Sequence, residues 1–202
     1  VLFRSQFHQS TTYEDFVQGY RPDQSGGFKL KNGGFFEFCE FARKQPDRPF
    51  VFVIDEINRG NLSKIFGELL MLLEHDKRGG DFAVPLTYAQ NILDTFSVPA
   101  NLYLIGTMNT ADRSLSLVDY ALRRRFAFES LEPEFDSPVF AAVLKSSGAT
   151  DDLVRKVRER MVALNQLISS DSSSLGKGYQ IGHSFFVPIP GQIADNGWLD
   201  EV

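Results

Sequence analysis

Asp55 and Glu56 close an unbroken apolar run, Phe50-Val51-Phe52-Val53-Ile54. Two adjacent carboxylates in that position suit phosphoryl transfer to water. One acid holds a magnesium ion, and its neighbour orients or deprotonates the attacking water. The run is too short for a typical helix and is rich in β-branched and aromatic residues. It predicts a strand buried on both faces of a parallel sheet. Ligands of open α/β sheets sit at the carboxyl ends of the strands, where these acids fall. On this stretch alone, the alternative is a buried strand whose acids merely begin a loop.

A second run, Asn101 to Met108, reads as another buried strand and ends on Asn109. If the two strands are neighbours in one parallel sheet, their ends converge. An amide there can position the attacking water or touch a γ-phosphate beside the acids. The segment that follows, Thr110-Ala111-Asp112-Arg113-Ser114, is densely polar. Asp112 and Arg113 suit either a capped structural loop or a nucleotide site. Arg123, Arg124 and Arg125 follow a helix expected over 115–122. Cations there complement the helix dipole, or one of them is an arginine finger for a nucleotide held by a neighbouring subunit. His183, beside Gly182, has no companion at metal-ligand spacing. Neither do His8 and His75, and with Cys39 the only cysteine no zinc site is expected. The chain contains no G-x-x-x-x-G-K-[ST] phosphate loop, and Gly176-Lys177-Gly178 is too short to be one.

The elements that must position these groups are legible in turn signals and periodicity. Residues 3–8 are expected to be extended, 13–17 helical, and 19–27 a loop. Phe28-Lys29-Leu30-Lys31 and Phe35-Phe36, joined by Asn32-Gly33-Gly34, read as a hairpin. Residues 37–44 are expected to be helical, and Pro46 and Pro49 bracket the turn into the central strand. Asn61 is an expected cap for a helix carrying Leu62, Ile65, Phe66, Leu69, Leu70 and Leu73 on one face. Residues 82–88 and 95–98 suggest a second hairpin, and 126–128 a third strand. A composition shift over 133–138 marks a domain boundary, giving an α/β core over 1–133 and a helical unit over 134–202. Helices are expected there over 139–144 and 151–168, and from Trp198.

Composition bounds the rest. The formal net charge of −5 argues against a chain built to coat nucleic acid, so any DNA contact needs a local patch or another domain. A lone cysteine among Phe35, Phe36, Phe38 and Phe41 excludes an internal disulfide, suits a reducing, cytoplasmic compartment, and reads as packing. No apolar run approaches the roughly 20 residues of a membrane span, and no signal-peptide pattern is present.

Several stretches together resemble McrB-like members of the AAA+ family, the GTP-hydrolysing, DNA-translocating subunits of methylcytosine-dependent restriction systems. They are Phe7-His8-Gln9-Ser10, residues 13–22, Val53 to Arg59, Leu62 to Glu68, Gly106 to Ser114, Val118 to Phe126, and Gly176 to Ser184. The resemblance covers most of the chain from Phe7 onward, and Met108-Asn109-Thr110-Ala111-Asp112-Arg113 is close to a signature. It implies an α/β AAA+ P-loop NTPase core, without its N-terminal Walker A segment, followed by a small helical lid. It implies Asp55 and Glu56 as the Walker B pair, Asp55 holding Mg2+ through water and Glu56 activating water. Asn58 would lie near that water and Asn109 would be sensor 1. Arg124, with Arg123 and Arg125 as near equals, would be the trans-acting finger of a hexameric ring. Asp112 and Arg113, and Gly182 and His183 of the lid, would lie near the nucleotide. The implied partners are an McrC-like nuclease subunit and DNA, with GTP as substrate and ATP as the alternative. A MoxR-like ATPase that remodels proteins and a catalytically silent assembly fragment are the other readings. Because the family's phosphate loop precedes the Phe7 equivalent, a fragment that binds nucleotide weakly or not at all is expected.

Overall fold

The computed structural model describes residues 1–24, 26–109, 111, 123–171 and 175–201. The chain divides into two compact units, Val1–Ala127 and Phe128–Val202.

Unit 1 is built on a parallel three-stranded sheet. Its strands are β1 (Leu2–Gln6), β4 (Phe50–Asp55) and β7 (Leu102–Gly106), with β4 in the centre. The register pairs Gln6 with Asp55 and Ile54 with Gly106, so the carboxyl ends of all three strands lie level. Strand alternation sorts the central run: Phe50, Phe52 and Ile54 are fully buried, whereas Val51, Val53 and Asp55 are only partly covered. The expectation of burial on both faces is therefore corrected. The other face also carries Leu2, 67% exposed, and Tyr103 and Ile105, 55% and 51% exposed. The Asn101–Met108 run is likewise a half-covered strand, with Leu102 its one fully buried side chain.

The buried face packs on rings. Phe52 meets Phe3, Phe16, Phe35 and Phe38 at centroid separations of 5.0, 5.6, 5.3 and 5.5 Å. Phe16 comes from α1 (Tyr13–Phe16), whose Thr12 and Asp15 form a capping box. Phe35 and Phe38 come from α2 (Gly34–Arg43). Cys39 is fully buried on α2, as packing predicted, and burial pushes its thiol pKa up. Asn101 closes the base of the layer, its Nδ2 lying 2.9–3.0 Å from the carbonyls of Ala42, Gln45 and Arg48.

Three expectations about local structure change. The first hairpin pairs β2 (Gln18–Pro22) with β3 (Phe28–Asn32), not β3 with Phe35-Phe36, which instead open α2. Gly33 is the reason the chain turns so tightly there: a Cβ would stand 2.4 Å from the Phe16 backbone carbonyl carbon. The helix after Asn61 is short. Asn61 accepts from Lys64 N–H at 3.0 Å as predicted, but α3 (Leu62–Phe66) ends at Gly67, whose φ is +51°, and a 3-10 segment, Gly67–Leu73, follows. The apolar face continues through both segments because 3-10 geometry still returns a residue about every third position. Residues 126–128 form no strand. The second hairpin is present but small, β5 (Val84–Pro85) with β6 (Thr95–Phe96). Residues 115–122 lie outside the described residues.

Unit 2 is helical. It contains α4 (Pro138–Ser146), α5 (Asp151–Ser170) and α6 (Asn196–Glu201). Ser137 and Thr150 cap α4 and α5 by accepting from Val139 and Leu153 N–H. Phe135, Phe140, Leu144, Leu153, Val157, Met161, Phe186 and Trp198 form its core. Near the end of α5 Leu167 is 68% exposed, and the inward position is taken by Asn165, 5% exposed. Asn165 Nδ2 donates to Ile181 O at 2.9 Å and its Oδ1 accepts from Ile181 N at 2.7 Å, fixing the segment that leads to Gly182 and His183. Asn165→Ala removes both bonds from a buried clamp. The expected cost is about 2 kcal/mol of unit 2 stability, read by thermal melting with tryptophan fluorescence at Trp198.

Candidate active site

Asp55 is the last residue of β4, and the parallel register brings the end of β7 beside it. Thr107, one residue past β7, donates from Oγ1 to Asp55 Oδ1 at 3.0 Å. Arg4 of β1 donates from Nε to Asp55 Oδ2, so both carboxylate oxygens are engaged from flanking strands. The backbone closes the same junction. Phe7 N–H donates to Asp55 O, Thr107 N–H to Ile54 O and Ile57 N–H to Thr107 O, each at 2.9 Å. Gly106 permits this approach, since a Cβ there would lie 2.7 Å from Ile57 Cδ1.

The Arg4 hydrogen bond, and then Thr107, hold the Asp55 carboxyl below its ordinary pKa against the opposing effect of burial. A depressed folded-state pKa stabilises the fold fully above the unfolded-state value and loses that contribution as pH falls through the folded-state value. Arg4→Met is therefore expected to raise the Asp55 pKa toward the ordinary carboxylate range and to shift that loss to higher pH. Carboxyl-carbon NMR titration reads it, and an unmoved Asp55 would contradict the assignment.

Glu56 leaves the strand at φ 52°, ψ 44°, the one non-glycine residue in the left-handed region among the described residues. Its Oε2 is buried in an ion pair with Arg59, 3.1 Å from Nε, and accepts no hydrogen bond among the described residues. Asn58 donates from Nδ2 to Asn109 O at 3.4 Å, and its Oδ1 is likewise buried and unbonded. Asn109 accepts from Ala111 N–H through Oδ1 at 2.9 Å. The structure thus brings Asp55, Glu56, Asn58 and Asn109 to one strand-end junction.

The three arginines divide. Arg125 is inside unit 1, its side chain 7% exposed and its Nε 3.1 Å from Glu74 Oε1. Arg123 and Arg124 are exposed. Asp112 and Arg113 lie outside the described residues. His183 and Gly182 belong to unit 2, where His183 Nδ1 accepts from Glu134 N–H at 3.0 Å, so the neutral ring carries its proton on Nε2. Its ring packs edge-on against Phe135 and Phe140.

Sequence reasoning missed Arg4, Thr107 and Glu68. Thr107 was findable, because a parallel register that pairs Ile54 with Gly106 puts Thr107 opposite Asp55. Glu68 clamps the second hairpin: it accepts from Tyr13 Oη at 2.6 Å, Thr87 N–H at 2.8 Å and Thr87 Oγ1 at 3.0 Å. Nothing in its spacing signalled that role.

Comparisons with known proteins bear on the family. Residues 1–126 match the model of the AAA domain, dynein-related subfamily, and residues 156–202 match that of the McrB alpha-helical lid domain. The chain is 53% identical over 199 residues to the type IV methyl-directed restriction enzyme EcoKMcrB subunit of Escherichia coli K12. That match covers 98% of this chain and 43% of the relative. It is 29% identical over 135 residues to the type II restriction enzyme BsuMI component YdiS of Bacillus subtilis 168, covering 62% of this chain and 38% of that one. The chain therefore spans less than half the length of either relative. A solved structure of a putative ATPase from Cytophaga hutchinsonii is 16% identical with a TM-score of 0.39, covering 83% of this chain and 49% of that one. The first of these family matches covers more than half of the chain, and the chain belongs to the dynein-related subfamily of AAA domains, with an McrB alpha-helical lid over residues 156–202.

Proposed function

We propose that this chain is part of the GTP-hydrolysing motor subunit of a methylcytosine-dependent restriction endonuclease. The E. coli relative, named as a subunit of a methyl-directed restriction enzyme, supports the system. The observation that carries the chemistry is the junction itself: Asp55 and Glu56 at the end of the central strand, with Asn58 and Asn109 beside them.

The residues present fit a magnesium nucleotide. Asn58 Oδ1 is a buried acceptor without a hydrogen bond among the described residues, suited to an N–H or O–H donor such as water, and Glu56 Oε2 beside it is ion-paired with Arg59 at 3.1 Å. Among the described residues no group of three or more His, Cys, Asp or Glu side chains could cage a metal. That suits an ion held mainly by phosphates and water, with Asp55 in its outer shell. When bound, Mg2+ would neutralise charge developing on the phosphates. Asp55 is kept ionised by Arg4 and Thr107. Glu56 takes the proton of the attacking water, Asn58 fixes that water, and Asn109 orients it from the neighbouring strand end. Arg123 and Arg124 are exposed while Arg125 is tied to Glu74, which supports one of the first two, Arg124 by resemblance, as the finger for a nucleotide on the next subunit of a hexameric ring. Asp112, Arg113, Gly182 and His183 would complete the nucleotide surroundings. An McrC-like nuclease subunit and DNA are the partners of the assembled motor, in the cytoplasm. No helix among the described residues is long and apolar enough to cross a membrane.

Calorimetric titration with GTP and with ATP, each with magnesium, tests the reading. It is run on this chain and on a longer form that carries a phosphate-binding loop upstream of Val1. The expected result is binding by the longer form alone, with GTP preferred. A preference for ATP would favour a MoxR-like remodelling ATPase. Tight GTP binding by this chain itself would refute its expected dependence on that loop, and no binding by either form would leave an assembly role only.

A further inference from the structure

We propose that a pocket between the two hairpins of unit 1 receives an arginine side chain from a partner protein segment. The site is separate from the Asp55 junction, and the proposal does not depend on the nucleotide reading. The cavity is about 540 Å3 and lies between β2–β3, α2 and the β5–β6 hairpin. Small-ligand sites fall in the range of roughly 300–1,000 Å3. The space is larger than one side chain needs, so it suits an arginine with flanking backbone.

Three features of the wall select the ligand. Gln18 of β2 is 5% exposed and makes no side-chain hydrogen bond with any described residue, although it lines the cavity. Its amide atoms are not cut off from solvent, so they are open to a donor or acceptor that enters the cavity. Glu40, already paired with Arg43 through one oxygen, and Asp94 put two carboxylates on the lining, and among the described residues no lysine, arginine or histidine lines it. Phe36 stacks on Phe96 with centroids 4.9 Å apart and planes at 25°, which gives an apolar aromatic wall. A flat cation with several N–H donors satisfies all three at once. It can rest on a ring, donate to carboxylates and donate to the Gln18 amide oxygen. A lysine ammonium offers charge without the planar face.

The protein already uses this chemistry on the same wall. The Arg43 guanidinium lies 5.8 Å from the Phe96 ring centroid, and its Nε is 3.2 Å from Glu40 Oε1. Its two terminal nitrogens donate to Ser97 Oγ at 2.9 Å and Ser97 O at 2.6 Å. Tyr88, also on the lining, commits its hydroxyl to Glu14 at 2.6 Å and so acts as a fixed rim.

The test is a 15N NMR titration of this chain with the peptide acetyl-Gly-Arg-Gly-amide, alongside the same peptide with citrulline or lysine in place of arginine. Saturable shifts confined to the neighbourhoods of Gln18, Glu40, Asp94 and Phe96 are expected, with a Kd of roughly 1–10 mM for so short a probe. Citrulline, which keeps the shape and loses the charge, should bind at least about 10-fold more weakly. Gln18→Met and Asp94→Asn should each weaken binding by about 5- to 10-fold. Unchanged dispersion elsewhere in the spectrum certifies that each variant folds, and Asp94, on the hairpin, guards against a Gln18 variant that does not. Equal binding of citrulline, undiminished binding by both variants, shifts scattered over the acidic surface, or no shifts at about 10 mM peptide would each overturn the proposal.

Discussion

Glu56→Gln, placed in a longer form that carries the phosphate-binding loop, is expected to lower nucleotide hydrolysis by about 100- to 10,000-fold, the range set by losing a general base. Nucleotide affinity should change little, because the amide keeps the size of the side chain and removes only its ability to take a proton. Phosphate release under single-turnover conditions gives the rate, and calorimetry gives the affinity. The structure supplies the reason for singling out Glu56 over Asp55. Both Asp55 oxygens already accept hydrogen bonds, from Arg4 and Thr107, whereas Glu56 Oε2 accepts none among the described residues and is engaged by the Arg59 ion pair at 3.1 Å, which leaves its carboxylate able to take a proton. Glu56 also adopts φ 52°, a conformation that costs a non-glycine residue of order 1 kcal/mol or more and persists where surroundings enforce it. A Glu56→Gln protein that hydrolyses at the parental rate would remove Glu56 from the mechanism. Mixing it with an Arg124→Ala protein then separates the two roles. Partial recovery of activity is expected only if the arginine acts across a subunit boundary.

The largest effect on stability is expected at Phe52. Replacing it with alanine should cost about 3–5 kcal/mol, the range for emptying a fully buried aromatic site. Four rings from three different elements meet it within 5.6 Å, so they cannot all collapse into the space left behind. Urea unfolding followed by far-UV circular dichroism measures the cost. Val51→Ala on the same strand, where the side chain is only partly covered, should cost clearly less. Equal costs at Phe52 and Val51 would show that the two faces of β4 are covered alike.

The fold class and the central strand were legible in the sequence. An apolar run ending in two acids states its own secondary structure and where its carboxylates fall, and the Asn61 cap follows from one residue and its neighbours. What the sequence hid was set by contacts between distant segments. The alternation within Phe50–Ile54 is invisible by composition, since Val51 and Val53 are as apolar as the residues they alternate with. The β2–β3 hairpin was misjudged because Gly33 and Gly34 look like a turn between strands. Here they turn a strand into a helix, under the Phe16 carbonyl. A periodic pattern through Leu73 said nothing of Gly67, whose positive φ divides α-helix from 3-10 helix. Glu68, Asn101 and Asn165 hold backbone atoms far from them in the chain, and no local pattern marks such a residue in advance.

The uncovered face of the sheet has a consequence for the polypeptide as a material. Leu2, Tyr103 and Ile105 present apolar surface on one side of a three-stranded sheet whose outer strands have no further neighbour among the described residues. Such surface joined to an open strand edge is a template for lateral association. A formal charge of −5 opposes that association by mutual repulsion, and salt weakens the repulsion while leaving the apolar attraction in place. The colloidal behaviour of this chain should therefore run opposite to salting-in, with light scattering that grows as sodium chloride is added.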